Sequence, residues 1–85
     1  MNQDTSKTNA AKEAVKLIRN EMVVGLGTGS TAKIAVDLIG RKLSDNFQII
    51  GMPTSVKTEE QAKDLGISLI EIDQAETIDI AIDGA

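Results

Sequence analysis

A chain of 85 residues holds at most one domain, and at this size folding buries only about 60% of the surface the unfolded chain exposes, so the core is marginal by itself. Cysteine and histidine are absent, which excludes disulfides, thiolate metal ligands and imidazole bases from these residues and leaves proton transfer to Asp, Glu, Lys or hydroxyl groups. A net charge of −4 and a single aromatic residue, Phe47, speak against a nucleic-acid surface, which needs a basic face and stacking rings.

The opening MNQDTSKTNA lacks the apolar core of a secretory signal. No apolar run approaches the roughly 18 residues of a membrane span, so a soluble, cytoplasmic protein with no membrane partner is expected. Helical periodicity begins at once: Ala11, Ala14, Val15 and Ile18 fall on one face, with Lys12, Glu13, Lys16 and Arg19 on the other. The spacing predicts a helix from Asp4 to Arg19, capped by Asp4, Thr5 or Ser6 and closed by Lys16 and Arg19 against its dipole. Met22–Leu26, rich in β-branched valine, reads as a buried strand. Helical spacing returns over Thr31–Leu43 with Ala32, Ala35, Val36, Ile39 and Leu43 inward, and Gly40 either ends or interrupts that helix.

Phe47–Met52 is the second strand, halted by Pro53. A helix follows over Ser55–Leu65, with Gly66 at its C-terminal end and the charged KTEEQAKD read as a solvated face. Ser68–Ile72 and Ile78–Ile82 are the third and fourth strands. Alternating strands and helices imply an α/β fold: a Rossmann-like, mainly parallel sheet flanked by helices. One detail resists. Only Asp73–Thr77 separate the last two strands, whereas a parallel crossover takes about ten residues or more. Either the third strand is shorter than drawn, which is the favoured reading, or the last pair is antiparallel. The chain stops directly after a strand, so it is expected to be the N-terminal part, residues 1–85, of a single longer α/β domain.

The segment GLGTGST, Gly25–Thr31, lies between a strand and a helix N-terminus. Unpaired N–H groups and the positive dipole end favour an anion there, and glycine lets a ligand approach the backbone closely. Thr28, Gly29, Ser30 and Thr31 together make a cradle suited to phosphate. The plainer reading is a tight turn with Ser30 as a simple N-cap. Three glycines in five positions weigh against it, since each costs up to about 1 kcal/mol of backbone entropy. A Walker loop needs a lysine after the last glycine, and none is present. A dinucleotide fingerprint needs a third glycine where Ser30 stands, and an acid after strand two where Gly51–Pro53 stand. No nucleotide cofactor is expected. The second constellation is Asp83–Gly84–Ala85, also at a strand's carboxyl end. It is either a turn dipeptide or a carboxylate facing the same ligand as the glycine loop. Asp79, earlier in that strand, reads as structural.

The GLGTGSTA run, followed about fifty residues on by I-D-G-A, resembles the type A ribose-5-phosphate isomerases. The GMPTS after strand two and the LGI before strand three fit the same pattern. The resemblance covers the whole chain. It implies an aldose–ketose isomerase interconverting ribose 5-phosphate and ribulose 5-phosphate through an enediolate, without metal or cofactor, in the non-oxidative pentose phosphate pathway. It also implies that Thr28, Gly29, Ser30 and Thr31 bind the substrate. Asp83, Gly84 and Ala85 open an acidic motif that contacts the sugar, with Asp83 in the catalytic role. Lys7 is the positional match to a lysine that approaches the substrate. A homodimer or homotetramer of the full-length protein is implied as well.

The chain departs from the family in length. The Asp–Glu continuation after Ala85, a Lys–Gly–Gly segment and the glutamate general base are not among these residues, so the isolated chain is expected to bind without useful turnover. The alternative is a phosphosugar-sensing domain of DeoR-like type, which binds without chemistry. Only about twenty residues precede the first strand, too few for the DNA-reading unit such a sensor carries.

Overall fold

The computed structural model describes residues 3–74 and 77–82. In chain order these form α1 (Gln3–Lys16), β1 (Val23–Leu26), α2 (Ser30–Lys42), β2 (Ile50–Pro53), α3 (Val56–Leu65), β3 (Ser68–Leu69), a short 3₁₀ turn (Ile72–Gln74) and β4 (Ile80–Ile82). The four strands make one sheet in the order β3-β2-β1-β4, and every described pairing is parallel.

That order answers the crossover difficulty. β4 does not pair with β3 but returns past β2 to lie beside β1. The strand order therefore reverses at β1, and β1 lies between partners reached in opposite directions. β3 is cut to two residues, as favoured, which lengthens the connection for its return.

The core forms where periodicity placed it. Ala11, Val15 and Ile18 pack with Val24 and Leu26 of β1 and Ala32, Ala35, Val36 and Ile39 of α2, all buried. α1 lies against α2, and α2 against α3. Gly40 corrects the sequence reading, because α2 runs through it to Lys42. A Cβ at Gly40 would stand 2.8 Å from Leu65 Cβ, so the glycine marks a close helix–helix approach and not a helix end. α1 is a second correction. It starts at Gln3, which places Asp4, Thr5 and Ser6 inside the helix and not at its cap, and it stops at Lys16, three residues short of Arg19. Leu17 and Ile18 close it with tighter bonds to the Ala14 and Val15 carbonyls, both 3.1 Å.

Two local features fix the strands. Asp79 spans the gap to β1: its N–H donates to the Val23 carbonyl at 2.9 Å and its Oδ2 accepts from the Val23 N–H at 2.7 Å. α3 begins with Ser55 accepting from the Thr58 N–H and ends on Gly66 at φ 84°, the left-handed terminal glycine expected from sequence.

Candidate functional site

The parallel register aligns three strand ends. Leu26 of β1 stands opposite Pro53 of β2 and Ile82 of β4, so the carboxyl ends of these three strands share one edge of the sheet. In open α/β sheets, ligands bind outside the carboxyl ends at the point where strand order reverses. Here that point is the loop after β1.

The loop is held from both sides. The Gly27 N–H donates to the Ile82 carbonyl at 2.8 Å, and the Leu26 carbonyl accepts from the Thr54 N–H at 3.1 Å and from Thr54 Oγ1 at 3.2 Å. Thr58 Oγ1, from the first turn of α3, donates to the Gly27 carbonyl at 3.2 Å. Gly29 then takes φ 105°, ψ 168° and is the N-cap of α2, with no side chain capping the first turn. A non-glycine residue is strained at that φ. Ser30 is not the N-cap: it is already the first helical residue. The orphan N–H groups that a serine would have served stay available to an anion.

A cleft of about 810 Å³ opens between this loop and the N-terminus of α3. Thr28, Gly29 and Ser30 form one wall, and Ser55, Lys57 and Thr58 the other. Lys33 and Gln61 complete it from the facing sides of α2 and α3. Two cations and no carboxylate stand among the lining residues. By contrast, the hollow beside β3 is lined by Glu59, Glu71 and Asp73 against the one cation Lys63, which pairs with Glu59, a net negative lining that disfavours a phosphate. The two helices are tied across the cleft floor, where Gln61 Nε2 donates to the Lys33 carbonyl at 2.9 Å and to Asp37 Oδ1 at 3.0 Å.

Thr31, half-buried, follows Ser30 into α2 and is not among the lining residues. Lys7 lies part-exposed on α1 and also does not line the cleft. Asp83, Gly84 and Ala85 lie outside the described residues. Among the described residues, no three of His, Cys, Asp and Glu converge as a metal-binding group.

Reading the sequence missed the α3 wall. The KTEEQAKD stretch is only in part a solvated face, since Thr58 is buried and, with Gln61 and the exposed Lys57, lines the cleft. The available signal was the Ser55–Thr58 capping spacing at the end of β2, which forecasts a second helix N-terminus beside the first.

Comparison with known proteins agrees with this geometry. The family model for ribose 5-phosphate isomerase A (phosphoriboisomerase A) matches residues 50–85. The whole chain is 54% identical to a probable ribose-5-phosphate isomerase 3, chloroplastic, of Arabidopsis thaliana, spanning 32% of that protein. It is 47% identical to the ribose-5-phosphate isomerase A of Limosilactobacillus reuteri, spanning 38% of it. Among solved structures, a D-ribose-5-phosphate isomerase in complex with phospho-erythronic acid superposes with a TM-score of 0.90 at 43% identity, over 100% of this chain and 38% of that one. The ribose 5-phosphate isomerase A of Methanocaldococcus jannaschii gives a TM-score of 0.90 at 39% identity, over 99% of this chain and 37% of that one. The chain thus spans about a third of the length of these relatives. In sequence and in fold, it is similar over its whole length to ribose 5-phosphate isomerases A.

Proposed function

We propose that the protein carrying this chain interconverts D-ribose 5-phosphate and D-ribulose 5-phosphate, and that residues 1–85 supply its phosphate-binding wall. The observation that carries this reading is the glycine-capped start of α2 at the reversal of strand order, facing a cleft with two lysines and no carboxylate. The phospho-erythronic acid in the similar solved structure supports it, since a phosphorylated sugar acid has the charge distribution of an enediolate phosphate.

The chemistry moves one proton between adjacent carbons. A base removes the C2 proton of the open-chain aldose, and the electron pair passes through the C1=C2 bond to O1. Returning a proton to C1, with the O2 proton passing to O1, leaves a carbonyl at C2. Backbone N–H groups from Thr28 to Thr31 and the Ser30 and Thr31 hydroxyls hold the phosphate, fixing the sugar so that C1 and C2 lie at a set distance from it. Asp83, following β4, exchanges protons with the sugar hydroxyls during ring opening and enolisation. Gly84 and Ala85 bind the substrate beside it, and Lys7 adds positive charge. The general base belongs to the longer protein, so the 85-residue chain binds phosphosugar without useful turnover. The longer protein is a homodimer or homotetramer.

The test uses the full-length product of the reading frame that contains residues 1–85. Ribulose 5-phosphate formation is followed from ribose 5-phosphate with chelator present. Turnover that persists with chelator, and falls by about 10²-fold or more in Asp83→Asn, is the expected result. Saturable phosphosugar binding with no turnover would overturn the isomerase and favour a sensor.

A further inference from the structure

Thr58 is a buried polar side chain, 7% exposed, at the head of the cleft. Its hydroxyl sits in a directed relay. Ser55 Oγ donates to Thr58 Oγ1 at 3.0 Å, and Thr58 Oγ1 donates to the Gly27 carbonyl at 3.2 Å. Ser55 Oγ also accepts from the Thr58 N–H at 3.2 Å. Each hydroxyl has a single proton to give, and both protons are already used within the protein. Although both residues line the cleft, neither has a donor left for a phosphate oxygen. Their role is to hold something else.

What they hold is one peptide plane. The Leu26–Gly27 peptide is fixed by backbone partners at one end and by backbone and Thr54 at the other. Among the described contacts, the Gly27 carbonyl is held by Thr58 Oγ1 alone. The peptide is trans, so its carbonyl and the following N–H point in opposite directions. Holding the Gly27 carbonyl on α3 therefore sets the direction of the Thr28 N–H. A glycine offers little resistance to flipping the plane, and a flip would reverse both the carbonyl and the N–H and so change the dipole that the loop presents to an anion. We infer that Thr58 is a positioning residue that locks the Gly27–Thr28 peptide through the Ser55–Thr58–Gly27 relay, and so sets the phosphate affinity of the loop without acting on the carbon chemistry; this rests on the loop being the phosphate site.

The test compares Thr58→Val, which keeps the shape and removes the hydroxyl, with Thr58→Ser, which keeps the hydroxyl. Both are made in the full-length protein. Two readouts are taken: KM and kcat for ribose 5-phosphate, and the dissociation constant of inorganic phosphate from the amide resonances of Thr28 and Gly29. Thr58→Val is expected to raise KM and the phosphate dissociation constant by tenfold or more, with kcat within threefold. Thr58→Ser is expected to stay within threefold of the parent on every readout. Phosphate affinity in Thr58→Val within twofold of the parent overturns the inference. A Thr58→Ser as weak as Thr58→Val does so too, because the methyl and not the hydroxyl would then matter. A lost kcat at unchanged KM also overturns it. Should Thr58→Val fail to fold, Thr58→Cys, with its weaker donor, reads the same split: phosphate binding weakened with kcat retained supports the lock, and parental binding refutes it. A parent that binds phosphate without turnover fails the isomerase reading alone, and the phosphate titration still decides the role of Thr58. A parent that binds neither phosphate nor sugar overturns both.

Discussion

Replacing Gly40 with alanine sets two effects of known size against each other. In a helix interior alanine is favoured over glycine by about 1 kcal/mol, so propensity alone forecasts a more stable protein. Packing forecasts the opposite. A Cβ at Gly40 would lie 2.8 Å from Leu65 Cβ and Cδ2 and 2.9 Å from Cδ1. Carbon atoms in good contact stand about 3.5–4.0 Å apart, so the overlap is about 0.7 Å. A rotamer change can move the two δ-carbons, but Leu65 Cβ is fixed to the α3 backbone and the helices themselves must part. Overpacking of this kind costs about 1–3 kcal/mol. A contact tied to backbone belongs in the upper part of that range, at about 2.5 kcal/mol. The net expectation is a loss of about 1.5 kcal/mol.

Urea unfolding followed by far-ultraviolet circular dichroism measures the loss, and a double-mutant cycle assigns its cause. Leu65→Ala removes both δ-carbons. In that background Gly40→Ala should cost about 1 kcal/mol less than in the parent, a coupling within the usual range for touching residues. If Gly40→Ala is as stable as the parent or more so, helix propensity has won, and the close approach of α2 and α3 is not the reason for the glycine.

Two further positions probe the start of β1. Asp79→Ala removes the carboxylate that accepts from the Val23 N–H at 2.7 Å, and should cost about 1 kcal/mol after allowance for solvent exposure; Asp79→Asn, which keeps an acceptor, should recover about half of it in the same urea assay. Glu21 occupies φ 68°, where an L side chain costs roughly 1–2 kcal/mol. Glycine there gives back part of that relief as unfolded-chain entropy, so Glu21→Gly should gain about 0.5–1 kcal/mol in the same urea assay.

Where one chemical pattern had one structural meaning, the fold was legible from sequence. The alternation of Ala32, Ala35, Val36 and Ile39 has only one way to be buried, and all four are buried. Gly66 after a charged helix end has a single common use, and it takes the left-handed conformation. Several misses share a cause: each depended on a neighbour remote in sequence. Gly40 is indistinguishable from a helix terminator until Leu65 is known to lie against it. The short Asp73–Thr77 gap looked too small for a parallel pair because consecutive strands were taken as adjacent, and β2 and β1 in fact lie between β3 and β4. Glu21 carries no signal for a positive φ; its N–H is drawn to the Gln48 carbonyl at 2.6 Å, a partner supplied by another segment. The candidate site divides in the same way. The glycine loop announced itself because its chemistry is local. The α3 wall did not, because Thr58 matters only through Gly27, thirty-one positions earlier.

The contacts between α2 and α3 form a graded series along two helices that start at the same sheet edge. At the C-terminal end, Gly40 against Leu65 brings the backbones close by removing a side chain. One to two turns from the start, Gln61 bridges to the Lys33 carbonyl and Asp37 with directed hydrogen bonds. At the start, the described tie runs from α3 to the loop before α2, through the hydroxyl relay from Ser55 and Thr58 to Gly27. Close packing tolerates little displacement, whereas a hydrogen bond permits small adjustments of distance and angle. The assembly is thus stiffest where the helices are farthest from the cleft and most adjustable where the loop meets a ligand. A phosphate arriving at the glycine-capped start of α2 meets a preset backbone held by a few hydrogen bonds. Sequence differences near Ser55 and Thr58 should therefore tune affinity, while differences near Gly40 should tune stability.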